Sequence, residues 1–105
     1  MDQPDPKTWP QTLSAAVDQI LNRIDDRSKA ILRGTAEDEL IRFHMTWGMA
    51  IRNELGLWRG NVHLLESCGE THPDGATMVI IRTVWQRLQS ERPNRAGLAQ
   101  PVLPQ

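Results

Sequence analysis

Residues 43–65 read FHMTWGMAIRNELGLWRGNVHLL, and how this run is divided decides the fold. Leu40, Phe43, Trp47, Ile51 and Leu55 recur three or four residues apart, the spacing that places side chains on one face of an α-helix. Thr35 with Asp38 opens this helix in the manner of a capped first turn, and Gly56 stops it after Leu55. Gly56 and Gly60 bend the chain around Leu57 and Trp58, which are expected to plug the corner. Asn61 then caps a short helix from Val62 to Cys68, closed by Gly69. On a helical wheel Leu40, Phe43, His44, Trp47, Gly48, Ala50, Ile51 and Leu55 share one broad arc. This predicts that the helix is the spine of the fold, with His44 near the middle of its apolar face.

Working outward, Thr8-Trp9-Pro10-Gln11 has the form of a capping box with proline in the first turn. Leu13, Ala16, Val17, Ile20, Leu21 and Ile24 continue it as an amphipathic helix to about Asp25. Asp25 or Asp26 caps a short second helix through Ile31 and Leu32, which Gly34 ends as a left-handed terminator. Toward the C-terminus, His72-Pro73-Asp74 starts a last helix with proline at its first position and an acid in its first turn. Met78, Ile81, Val84, Trp85 and Leu88 are its apolar stripe. No segment alternates over strand length, so the fold class is all-α, a compact bundle of four to five helices. Residues 1–7 read as a flexible arm, 8–92 as a single helical domain and 93–105 as a disordered, proline-containing tail.

At 105 residues the chain suits one small domain. A formal net charge of −1 lacks the excess of bases that neutralises phosphates, so nucleic acid is not an expected partner. Arg82, Arg87, Arg92 and Arg95 are more simply a solvated helix face than a basic stripe. No apolar run nears the roughly 20 residues needed to span a bilayer. The acidic, proline-rich start MDQPDPKTWP is unlike a signal peptide, and the expected location is cytoplasmic.

Cys68 is the single cysteine, which excludes an internal disulfide. Cys68, His63 and His72 lack the paired spacing of a zinc site, so no metal is expected, and no cofactor fingerprint is present. Ser14, Ser28, Ser67 and Ser90 have no nucleophile elbow around them, and no catalytic residue is assigned. Enzyme activity is accordingly the less supported class.

The candidate binding residues are His44, Trp47, Arg52, Asn53, Trp58, Asn61 and Asp74. A histidine on an apolar face needs hydrogen-bond partners and titrates near neutral pH. Arg52 offers a planar fork suited to carboxylates and other anions. Asn61 sits where a helix start presents free N–H groups. The preferred reading is a non-enzymatic module that binds another protein, a regulatory or accessory subunit. Met45, Met49, Arg42 and Arg59 suit an adaptable interface, and homo-oligomerisation is left open. The alternative is a small-ligand or anion-binding domain, catalytic or not, using His44, Arg52, Asn53 and Asn61.

The pattern His44-x-x-Trp-Gly-x-x-Ile-Arg-Asn53, Gly56-Leu-Trp58-x-Gly-Asn61 and His72-Pro-Asp74 resembles a family of small bacterial all-helical domains of unknown function. The likeness runs over roughly residues 9–90. It implies that Arg52, Asn53, Trp58, Asn61, Pro73 and Asp74 stand at family motif positions. Gly75 departs from the second acid that the resemblance leads one to expect after Pro-Asp, which weakens any chemistry based on paired carboxylates there.

Overall fold

The computed structural model describes residues 9–90, and within them every regular element is helical. In chain order these are α1 (Leu13–Arg23), α2 (Asp26–Arg33), a 3-10 segment (Glu37–Phe43), α3 (Trp47–Glu54), a one-turn 3-10 segment (Leu57–Arg59), α4 (Val62–Ser67) and α5 (Pro73–Ser90). The expected arm at 1–7 and tail at 93–105 lie outside the described residues.

α5 is the spine, the place that the sequence reading gave to α3. Its Ala76, Thr77, Ile80, Ile81, Val84 and Leu88 are buried. Around that stripe pack Ala16, Val17 and Ile20 of α1, Leu32 of α2, Leu40 of the 3-10 segment, Ile51 and Leu55 at α3, and Leu64 of α4. α3 is too short for the role. The predicted helix from Thr35 to Leu55 is broken into the 3-10 segment, a turn at residues 44–46 and α3.

The break follows from where the two halves are attached to α5. The Trp85 indole donates to the Thr35 carbonyl at 2.8 Å, and Arg82 pairs with Glu37. Thirteen residues later, Gly48 lies so close to Thr77 that a Cβ there would stand 3.2 Å from its methyl group. A straight helix from 35 to 48 would advance about 20 Å, whereas Trp85 and Thr77 are only about 12 Å apart along α5. The turn absorbs the difference. It also removes His44 from the apolar face and leaves it at the end of the 3-10 segment.

Two other ends differ from the expected ones. α1 begins at Leu13, capped by Thr12, whose hydroxyl accepts from the Ala15 N–H at 3.1 Å. Thr8 lies outside the described residues, and Trp9 and Pro10 are used elsewhere, in the corner described below. Gly34 ends α2 with φ −86°, not in the left-handed region, because the chain continues directly through Thr35 toward α5. The caps by Asp25 and Asn61 and the left-handed Gly56 and Gly69 stand where the sequence placed them.

Candidate functional site

Two faces of α3 carry unusual side chains, and they look in different directions. At about 100° per residue, Trp47, Ala50 and Glu54 fall on one side, while Gly48 and Arg52 fall on the other.

On the Arg52 side the helix meets the start of α5. Arg52 is only 7% exposed. Its Nη1 lies 3.6 Å from Asp74 Oδ1, and its guanidinium carbon is 6.0 Å from the centre of the Trp58 ring. Asp74 Oδ1 also lies 3.9 Å from His44 Nε2, and Asp74 Oδ2 lies 3.9 Å from His72 Nδ1. The Asp74 backbone N–H donates to His72 Nδ1 at 3.1 Å, and the His72 ring meets Trp58 edge to face. Arg52, His44, Asp74 and Trp58 are therefore brought together, with His72 added. Sequence spacing could not show this convergence, because it joins a turn, a helix end, a corner and the first turn of α5. Arg52 Nε and Nη1 are sealed from solvent with no hydrogen-bond partner. An unmet buried donor costs about 1–3 kcal/mol.

The remaining predicted residues do not join this cluster. Asn61 is buried in the corner, where its amide donates to the carbonyls of Pro10 (3.0 Å) and Leu55 (2.8 Å) and its oxygen accepts from the Leu64 N–H. Its hydrogen-bonding groups are thus spent on joining the chain before α1 to the end of α3 and the start of α4. Asn53 is exposed. Leu57 fills the corner as expected, but Trp58 is 56% exposed. The indole that covers the corner is that of Trp9, laid directly over Gly56.

Trp47 belongs to the other side of α3. With Phe43, which it meets edge to face at a ring-centre distance of 6.4 Å, it lines an open groove against Ile24, Ser28, Ile31 and Leu32. The groove holds about 210 Å³, and Ser28 is its one polar lining residue. A separate, smaller pocket of about 40 Å³ shares Ile24 and Trp47 and lies between α1 and α3, with Arg23 and Glu54 in its lining. Those two pair at 3.2 Å, and Gln19 donates to the same carboxylate. Ile31 is exposed, as are Ile41, Met45 and Met49. Sequence reasoning missed this groove. Its one sequence signal is Ile31 beside Leu32 on a helix too short to bury both.

Among the described residues no three His, Cys, Asp or Glu side chains are placed to hold a metal ion. Cys68 is half-buried, and desolvation, with a smaller contribution from Glu70, pushes its thiol up to about 11. Arg82 and Arg87, the described part of the arginine stripe, pair with Glu37 and Asp18. No described helix is long and apolar enough to cross a membrane.

An all-helical fold with an open apolar groove and a separate buried arginine defines a small helical domain. The chain belongs to the family described as Domain of unknown function (DUF6794), whose model matches residues 9–88. No curated protein and no solved structure matches it.

Proposed function

We propose that this domain is a non-enzymatic, bacterial, cytoplasmic binding module that receives an apolar segment of another protein in the groove between α2, the 3-10 segment and α3. The groove itself is the supporting observation: Phe43 and Trp47, each partly buried against the core, stand edge to face and leave their outer faces lining an open cleft. Aromatic side chains are favoured anchors of protein interfaces, and methionines adapt to irregular partners. Met45 and Met49, 77% and 59% exposed, are on the turn and helix that carry Trp47. The high-lying Cys68 thiol and the absence of a nucleophile motif favour binding over covalent catalysis. A lone cysteine and a near-neutral, mixed-charge composition suit a reducing compartment.

The test uses Ile31→Glu, which puts a charge at the groove on a side chain already exposed. Partners are captured by cross-linking the full chain in cells, and the attachment points are mapped by mass spectrometry. The expected result is a reproducible partner linked beside Phe43–Met49, lost in Ile31→Glu and retained in Trp58→Ser on the other side of α3. Capture that ignores Ile31→Glu, or links that map elsewhere, refutes the assignment.

A further inference from the structure

We infer that the start of α5 is a second, polar site, independent of the groove, which takes a small organic monocarboxylate onto Arg52 in place of Asp74. The guanidinium is more than nine-tenths buried, and two of its nitrogens have no hydrogen-bond partner. The Asp74 carboxylate stands close enough to respond to the charge, yet its approaches to Arg52, His44 and His72, at 3.6, 3.9 and 3.9 Å, are all too long for hydrogen bonds. Asp74 is tethered at the first turn of its helix and reaches the fork without engaging it. An untethered carboxylate has no such restriction, and the planar fork of arginine matches it bidentately.

The surroundings narrow the ligand class. Behind Arg52 the wall is fixed: a Cβ on Gly48 would stand 3.2 Å from Arg52 Nη1 and from the Thr77 methyl. In front, Asp74 is about half exposed and is the group that can swing aside, next to the similarly exposed Trp58. The Glu70 carboxyl packs against Gly75, the residue after Asp74, and adds a second negative charge to the first turn of α5. That charge disfavours a dianion such as phosphate and leaves one guanidinium for one monoanion. The half-exposed Trp58 indole, edge to face with His72 at 5.8 Å, gives an apolar wall for the rest of the acid.

The experiment follows the Arg52 Nε–H and Trp58 indole N–H resonances of the ¹⁵N-labelled full chain, assigned with Arg52→Lys and Trp58→Phe. Sodium benzoate, acetate and phosphate are titrated at constant ionic strength. Benzoate is expected to shift both resonances saturably, and about tenfold more tightly in Asp74→Ala, where the internal competitor is gone. Acetate should bind more weakly than benzoate, having nothing to lay against Trp58. Absence of a saturable shift in a folded Asp74→Ala overturns the inference, as does phosphate binding as tightly as benzoate. Should Asp74→Ala lose its helical circular dichroism, Asp74→Asn, which keeps the side-chain shape, gives the same readout.

Discussion

Replacing Gly56 with alanine tests the corner that holds both faces of α3 in place. Gly56 has φ +72° and lies under the Trp9 indole, whose Cδ2, Cε2 and Cζ2 occupy the space a Cβ requires. Two costs follow, and they have different origins. A residue with a Cβ in the left-handed region loses about 1–2 kcal/mol whatever its neighbours. Overpacking against a seated ring adds about 1–3 kcal/mol. Gly56→Ala should therefore destabilise by about 2–5 kcal/mol, a large part of the total for a domain of this size. Trp9→Ala removes the ring but not the backbone strain. In that background Gly56→Ala should cost only the backbone part, about 1–2 kcal/mol. Urea unfolding of the wild type, both single variants and the double variant measures the coupling, with a stabilising osmolyte present so that all four remain folded. If Gly56→Ala costs the same with and without the Trp9 ring, the ring does not lie on the glycine and the corner is wrongly described.

Asn61→Ala leaves the carbonyls of Pro10 and Leu55 without their donor and should cost about 2–4 kcal/mol in urea unfolding, since three hydrogen bonds centre on one buried amide; a loss below 1 kcal/mol contradicts a structural role. Cys68, with its thiol pushed up to about 11, should alkylate with iodoacetamide at pH 8 about a hundredfold more slowly than a free cysteine, and alkylation at the free rate would show that the thiol is not shielded. Hydrogen bonds to Ser28 hold the Asp25 carboxyl below its usual value, so its contribution is present above the unfolded-state pKa and fades as pH falls through the lowered folded value. Thermal melts across the acid range should show the Asp25→Asn difference narrowing toward low pH, and a difference that widens there reverses the sign.

The helices and their ends were largely legible because the signals are local. Asp25 and Asn61 cap the next turn with their own side chains, Gly56 and Gly69 adopt the left-handed conformation that stops a helix, and Pro73 opens α5. Arg52 and Asp74 were chosen from sequence as separate residues of interest, and the structure sets them 3.6 Å apart. What pattern could not give was the break in the predicted third helix. Leu40, Phe43, Trp47, Ile51 and Leu55 keep helical spacing across it, so the pattern alone favours one continuous element.

An all-helical chain, the local caps and half of the stripe that α5 buries, Ile81, Val84 and Leu88, follow from the sequence alone, since each depends on neighbours within a turn or two. Only the tertiary structure decided that α5 and not α3 is the spine, that His44 leaves the apolar face, that Asn61 works inside the corner and that Trp47 opens onto a groove while Arg52 faces α5. These depend on two attachments to α5, Thr35 at Trp85 and Gly48 at Thr77, that are far apart in sequence. Their separation along α5 is shorter than a straight helix between them, and that mismatch turns one expected face of side chains into two sites.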